Sequence, residues 1–303
     1  MVTALAQDLL ALGGHEILLI RNPQQPRALS AQGLTVVSVE GPGSLDSWLD
    51  QADGVWPIAP EGEGLLESLC QRIEARGKVL LSSPSAAVHL TASKLATQRR
   101  FTEKGLPGIP TWPLESAIDR GRGWPRVIKP DDGAGSEDTM VVDSPAAVER
   151  FLAKTPPRRW IFQPYLKGRA MSLSALFRSG EARLLTVNAM AMSQQAGRFS
   201  LEGLTVNLTL APRLFSAFER LTSQIAAAFP ELWGYAGIDF LWNGQGPRLL
   251  EINPRLTTAF IGLGPALNGH PARWVLDLAD RDRLPERSAI PRGIPHRVSL
   301  GTP

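Results

Sequence analysis

Cysteine is all but missing from this chain: the single one, Cys70, lies in the apolar helical pattern Leu65-Leu66-Glu67-Ser68-Leu69-Cys70. That excludes a disulfide framework within the chain and makes a reducing compartment the natural setting. Long apolar runs are also missing. No stretch approaches the roughly 18 to 20 residues needed to span a bilayer. The opening Met1-Val2-Thr3-Ala4 lacks the charged-then-apolar layout of a signal peptide, so a cytoplasmic location is expected. Excess charge of one sign is absent as well. The net charge is +3, with Lys and Arg scattered rather than gathered in the stripe that a nucleic-acid surface displays. The one basic run, Arg158-Arg159 after Pro156-Pro157, reads as a solvated loop. There is no internal repeat, no low-complexity tract, and no evident nucleophilic side chain; the four histidines are scattered.

What is present is the composition of a globular enzyme, 43% hydrophobic and 20% charged, long enough for roughly two domains. Helical and strand-like segments alternate through the first ninety or so residues. Val2 to Leu12 reads as a helix ending at Gly13-Gly14. Ile17 to Ile20, Thr35 to Val39, Gly54 to Ile58 and Val79 to Leu81 read as short buried strands, and Glu63 to Arg76 as an amphipathic helix. Such alternation predicts a small parallel α/β unit. Ser93 to Lys104 is a further helix, followed by a Pro- and Gly-containing connector, and a domain boundary is expected near residue 92. Strands are expected at 126–129 and 139–142, joined by a Gly-rich turn, then a helix opened by Ser144-Pro145. From Trp160 to Leu210 the pattern is mostly β. A helix over Leu214 to Phe229 and two strands, Tyr235 to Trp242 and Arg248 to Ile252, come next. The Pro- and Arg-rich tail from Leu284 is expected to wrap over the surface or fray.

The chemistry concentrates in Tyr235-Ala236-Gly237-Ile238-Asp239-Phe240 and Leu249-Leu250-Glu251-Ile252-Asn253-Pro254-Arg255. Alternate residues of a strand share a face, so Glu251 and Asn253 point the same way. The turn Asn243-Gly244-Gln245-Gly246 predicts an antiparallel hairpin. Placing Asp239 opposite Glu251 calls for an odd-length loop of three or five residues, which hairpins with a glycine bulge supply. Two carboxylates and an amide oxygen on one patch form a hard site suited to Mg²⁺, which completes its octahedron with water and phosphate. Arg255 beside it would neutralise phosphoryl or carboxylate charge. The plainer alternative is a pair of solvated strand-end acids with Arg255 as an ion-pair partner.

Val127-Ile128-Lys129-Pro130-Asp131-Asp132-Gly133-Ala134-Gly135-Ser136 is a strand ending in a lysine, then a flexible turn whose N–H groups and hydroxyl can approach an anion. It is not the Walker pattern, because no lysine follows the second glycine; a simple hairpin turn is the alternative. Lys94 opens its helix, either as an exposed lysine or as a phosphate contact. Gln163-Pro164-Tyr165-Leu166 leaves the apolar strand Trp160-Ile161-Phe162 and either ends it or offers backbone groups to a purine edge.

These pieces, in this order, resemble the ATP-grasp superfamily over residues from about 93 to 268. The resemblance implies an α/β plus α+β fold: a small parallel α/β N-terminal domain (1–92), then an ATP-grasp domain (93–283) and the tail (284–303). The ATP-grasp domain would comprise two α+β subdomains, about 108–163 and about 168–283. It also implies site roles. Lys94 and Lys129 would hold phosphates with Gly133, Ala134, Gly135 and Ser136, while Gln163, Tyr165 and Leu166 would hold adenine. Asp239, Glu251 and Asn253 would bind the metal, and Arg255, with Lys129, would act on the transferred phosphoryl group. The run Val55-Trp56-Pro57-Ile58-Ala59-Pro60-Glu61, with Ser93-Lys94 and Asn188, is similar to the branch containing archaeal tyramine–glutamate ligase.

In two places the chain departs from the family's pattern. It opens on a helix where the family's first domain opens with a strand and loop, so that first strand is expected to be missing. Pro164 replaces a commonly polar residue and has no N–H, so base recognition is expected to rest on Gln163, Tyr165 and Leu166. The expected activity is a carboxylate–amine ligase using ATP and Mg²⁺ (or Mn²⁺) through an acyl phosphate, with glutamate as one substrate, in cofactor biosynthesis. Its partners would be a small-molecule acid and an amine, with a homodimer as the assembly. Asn188 and Arg198 are candidate substrate contacts; a strand-end polar residue and a solvated loop cation are their alternatives. A phosphotransferase on the same fold and a non-catalytic nucleotide-binding regulator are the competing readings.

Overall fold

A computed structural model describes residues 1–21, 30–39, 42–116, 123–133, 138–155 and 158–300. The chain begins with α1 (Val2–Leu12), β1 (Ile17–Arg21), β2 (Leu34–Ser38), α2 (Pro42–Gln51), β3 (Gly54–Val55), α3 (Leu65–Glu74), β4 (Val79–Leu80) and α4 (Ser85–Ala92). The parallel pairing is present, but as two separate two-stranded sheets, β1 with β2 and β3 with β4. Strand β3 stops short of the expected Ile58 because Pro57 has no N–H for a ladder. Helix α1 lies against β1 but also reaches away from these sheets. It docks on the far half of the molecule, where Asp8 accepts from the Ala272 N–H at 2.7 Å and meets His270 Nδ1 at 2.8 Å.

Helix α5 (Lys94–Glu103) leads into β5 (Trp112–Pro113), β6 (Arg126–Pro130), β7 (Met140–Val142), α6 (Pro145–Leu152) and β8 (Trp160–Pro164). Ser144 caps α6, its Oγ accepting from the Ala147 N–H, and Pro145 fills the first turn, where no amide donor is needed. The rest is β9 (Arg169–Arg178), β10 (Glu181–Gln195), β11 (Arg198–Val206), α7 (Pro212–Ala228), β12 (Gly234–Trp242), β13 (Pro247–Asn253), α8 (Phe260–Leu267), α9 (Pro271–Arg281) and β14 (His296–Ser299).

Ten strands form one antiparallel sheet in the order β13-β12-β9-β10-β11-β7-β6-β8-β5, with β14 also on β11. Among the described residues the ladder between its two parts holds one residue pair, Arg198 with Met140, and a lone bridge joins Gly108 to Leu249. That narrow join lets a small sheet (β5 to β8) stand against a large one (β9 to β13) and leave a cleft between them. Strand alternation sorts the large sheet's side chains. Leu173, Ala175, Phe177, Ile238 and Phe240 pack under α7 through Phe218, Leu221 and Ile225. Leu176, Leu204 and Tyr235 face the opposite layer of α8, α9 and α1. In the small sheet, Ile128, Trp160 and Phe162 pack on Val148 and Phe151 of α6.

Through residue 300 the tail takes the first of its two expected courses and wraps over the surface. Strand β14 adds to β11 between Gly203–Ser299 and Val206–His296, and Gly203 permits this because a Cβ there would lie 2.6 Å from the Val298 carbonyl oxygen. No helix among the described residues is long and apolar enough to cross a membrane.

Leu66, Cys70 and Ile73 form the buried stripe of α3, spaced as a helical face requires, and Cys70 packs with Leu66 and Val88. Burial, helped by the charges of Glu74 and Glu67, pushes the Cys70 thiol up to about 12. The native protein should therefore resist iodoacetamide at pH 8.5 under conditions that label the urea-unfolded chain completely. Rapid native labelling would show that α3 and α4 do not close over the thiol.

Candidate active site

Strands β12 and β13 pair with Asp239 opposite Glu251 and Gly237 opposite Asn253, so all four share one face. The expected alignment is reached by a different route from the odd-length loop. Trp242 pairs with Pro247, so the turn is the even-length Asn243 to Gly246, where the Asn243 side chain accepts from the Gln245 N–H at 3.0 Å. A bulge follows: Asp239 pairs with Glu251 and Phe240 with Leu249, leaving Leu250 unpaired. This extra residue shifts the register by one and brings the carboxylates face to face. Gly237 keeps that face open to close packing, since a Cβ there would sit 2.5 Å from Thr257 Cγ2.

Burial, followed by the neighbouring charge of Glu251, raises the Asp239 pKa to about 8; the Asn253 amide, donating to Asp239 Oδ2 at 3.2 Å, pulls the other way. Burial also opposes ionisation of Glu251, but the ammonium groups of Lys94 and Lys129, with Arg255, outweigh it and hold its pKa below the ordinary value. Lys129 is 7% exposed; burial lowers its pKa to about 8 against the opposing pull of Glu251. Lys94 is equally buried, not a solvated helix lysine. Its Nζ donates to the Gly133 carbonyl at 2.8 Å and lies 3.5 Å from Glu251 Oε2.

The donor set fits a hard divalent cation. Asp239 and Glu251 are half-buried on the cavity wall, where their repulsion is only partly screened, and a cation between them relieves that cost. No group of three or more His, Cys, Asp or Glu side chains able to hold a metal occurs among the described residues. An ion held here would complete its sphere with the Asn253 amide oxygen, water and phosphate, which is the habit of Mg²⁺.

Asp239, Glu251, Lys94 and Lys129 line a cavity of about 360 Å³ between the two sheets, together with Gly133, Gln163, Tyr165 and Leu166. Met171, Met190, Met192, Val127 and Phe199 provide apolar wall. Ala134, Gly135 and Ser136 lie outside the described residues. In the segment expected to hold the base, the Tyr165 N–H already donates to the Pro125 carbonyl at 3.2 Å, so the free backbone donor there is narrowed toward Leu166. The Gln163 amide donates to Thr111 Oγ1 at 2.8 Å.

Three expected contacts are placed differently. Arg255 turns to the N-terminal half, its Nη2 lying 2.8 Å from Glu61 Oε2 and its Nη1 donating to the Leu256 carbonyl at 3.0 Å, while its charge still acts on Asp239 and Glu251. Asn188 is fully buried and satisfied, donating to Ser172 and Ser174 and accepting from the Asn207 N–H; it is not a cavity-lining residue. Arg198 is a largely solvated cation 3.6 Å from Asp138 Oδ1. Arg158, read from sequence as a solvated loop cation, instead bridges Asp132 at 3.3 Å and Asp138 at 3.4 Å and lies over Trp160. Sequence reasoning assigned no role to Glu61, Asp131 or Asp132. Asp132 Oδ2 accepts from the Glu63 N–H at 3.1 Å, tying the N-terminal half to the foot of the Gly-rich turn. The acid pair beside the glycines was the available signal.

Comparison with known proteins accords with this geometry. Over 271 residues the chain is 24% identical to formate-dependent phosphoribosylglycinamide formyltransferase of Cupriavidus necator, covering 80% of this chain and 64% of that protein's length. It is 21% identical over 241 residues to tyramine–L-glutamate ligase of Methanocaldococcus jannaschii, covering 77% of this chain and 67% of the ligase. In fold it resembles the biotin carboxylase domain of the Hydrogenobacter thermophilus 2-oxoglutarate carboxylase, solved as a dimer with MgADP and bicarbonate. That match has a TM-score of 0.76 at 16% identity, over 96% of this chain and 70% of that one. The model of the pre ATP-grasp 3 domain matches residues 15–88, and that of the ATP-grasp domain matches residues 91–259. With more than half its length matched by that second model, around a cleft that pairs two buried lysines with two opposed carboxylates, the chain belongs to the ATP-grasp family.

Proposed function

We propose that this chain is an ATP- and Mg²⁺-dependent ligase that joins a carboxylic acid to an amine through an acyl phosphate. The observation that carries the reading is the opposed Asp239 and Glu251 pair lining the same cavity as Lys94 and Lys129. Buried cations beside a hard metal seat suit a polyphosphate, and a cavity of about 360 Å³ falls in the range of small-molecule sites. Family membership and the names of the relatives support the same reading.

In this assignment Lys94 and Lys129 hold phosphate oxygens as point charges, with Gly133, Ala134, Gly135 and Ser136 adding backbone N–H groups and a hydroxyl. Gln163, Tyr165 and Leu166 meet the base. Asp239, Glu251 and Asn253 would hold Mg²⁺ or Mn²⁺, which supplies positive charge at the phosphoryl oxygens. An oxygen of the acid bonds to the γ-phosphorus as the β,γ bridge breaks and ADP leaves with the bonding pair. The amine nitrogen then bonds to the acyl carbon, the bond to phosphate breaks, and the nitrogen releases its proton. Arg255, paired with Glu61, would contribute through its charge on Asp239 and Glu251 rather than by direct contact with the phosphoryl group. No nucleophilic side chain is required, since positioning and electrostatics supply the catalysis. Glutamate is the acid we propose, on the likeness to tyramine–L-glutamate ligase.

In a panel of acids and amines that includes glutamate, sustained turnover to ADP should require both partners, the acid alone giving at most about one equivalent per enzyme. Glu251→Gln and Lys129→Ala should each lower the rate by about 10²-fold or more. Near-normal turnover in either variant would sink the assignment. Sustained turnover to ADP on one acceptor without an amine, with a phosphorylated product accumulating, would identify a phosphotransferase instead.

A second expectation concerns stability. A carboxyl whose folded pKa is raised from 3.8 to about 8 destabilises the ligand-free fold progressively as pH rises through that interval. Asp239→Asn should therefore raise the ligand-free midpoint by about 2 °C (~1 kcal/mol), more at pH 8 than at pH 5. It should also abolish the Mg²⁺-dependent stabilisation by a non-hydrolysable ATP analogue that is expected of the parent. Persistence of that stabilisation would remove Asp239 from the metal seat.

A further inference from the structure

Asp131 follows Lys129 by two residues, is 4% exposed, and lines no part of the cavity, yet it is the hub of the contacts beneath it. One carboxylate oxygen accepts from the Leu95 N–H at 2.8 Å and the other from the Ser93 hydroxyl at 2.8 Å. Its carbonyl accepts from the Lys94 N–H at 2.9 Å, and its own N–H donates to the Arg159 carbonyl at 2.9 Å. Ser93 Oγ in turn accepts from the Ala96 N–H at 3.1 Å. The first three amide donors of α5, which no helix can satisfy internally, are thus all met by Asp131 or by the serine that Asp131 holds. A negative charge at this end also suits the helix dipole.

These contacts bear on the site because of what α5 carries. Its first residue is Lys94, whose ammonium reaches Gly133 and Glu251, and the strand that delivers Asp131 also delivers Lys129. A helix start and a strand end, 36 residues apart between Leu95 and Asp131, are therefore pinned to one carboxylate.

We propose that Asp131 is a positioning residue for nucleotide phosphates: its carboxylate, locked on Ser93 and Leu95, sets Lys94 and Lys129 at a fixed separation. This rests on the ATP-binding reading above. Loss of the clamp lets α5 shift against β6, and two lysines that no longer converge lose most of their joint hold on phosphate. The base end of the cavity, at Gln163 to Leu166 and the large sheet, lies beyond the start of β8, where the Asp131 N–H meets the Arg159 carbonyl; the Asp131 carboxylate forms its hydrogen bonds with α5 and its capping Ser93, so the base end should be indifferent to it.

The test compares a non-hydrolysable ATP analogue with Mg²⁺, by calorimetry, and adenosine, by ligand-observed NMR, in the parent, Asp131→Ala, Asp131→Asn and Ser93→Ala. Asp131→Ala should weaken the analogue at least tenfold while adenosine stays within twofold of the parent. Asp131→Asn keeps an acceptor for Leu95 and should recover most of the loss. Ser93→Ala, which removes one hydroxyl, should move the analogue in the same direction by a smaller factor, and it serves if Asp131→Ala does not fold. Analogue affinity unchanged in both Asp131→Ala and Ser93→Ala overturns the proposal, as does a parallel loss of analogue and adenosine. A parent that binds no analogue overturns the ATP-binding reading itself.

Discussion

The arrangement of this molecule depends on one electrostatic constraint: two half-buried carboxylates face each other on adjacent strands at the wall of one cleft. Asp239 and Glu251 would not be tolerated there as a bare pair, because desolvation and mutual repulsion both oppose ionisation. Lys94, Lys129 and Arg255 supply the compensating charge from three different segments, and the elevated Asp239 pKa shows that the compensation is incomplete. That imbalance is what the proposed divalent cation would relieve.

That constraint explains why so many elements converge on one cleft. The small sheet brings Lys129, α5 brings Lys94, and the hairpin of β12 and β13 brings the acids. The N-terminal half joins through two contacts: Glu61 meets Arg255, and the Glu63 N–H meets Asp132. Glu61 is 4% exposed, and its Oε1 has no hydrogen-bond partner among the described residues, so that half belongs to the electrostatics of the site. Because the ladder between the two sheets holds one residue pair among the described residues, their separation is governed by the layers packed on them and by whatever fills the space between.

Much of the site was readable from the chain. The period-two pattern around Asp239 and Glu251 assigned both to one face, and the order of lysine, glycine-rich turn, acid pair and Asn-Pro-Arg carried the resemblance to the ATP-grasp family. The long helices α1, α5 and α7 were readable because an apolar stripe and a cap or breaker mark each one. The length of the hairpin turn was misjudged: parity required one extra residue, and sequence patterning does not say whether it sits in the turn or in the ladder. Of the two outcomes expected for the tail, wrapping rather than fraying holds through residue 300, and its short strand was not legible because a lone segment becomes a strand only if an edge is available to pair with it.

The sequence by itself determined which residues are available for the chemistry and which faces of their strands they occupy, because side-chain alternation is a local property of extended backbone. Only the tertiary structure decided their partners. That Lys94 is buried against Glu251, that Arg255 turns to Glu61, that Asn188 is consumed within the core and that Arg158 bridges Asp132 and Asp138 all follow from contacts between segments distant along the chain. Those contacts depend on how the two sheets and the N-terminal half pack together. Charge, burial and hydrogen bonding are properties of that packing, and no local pattern of residues encodes them.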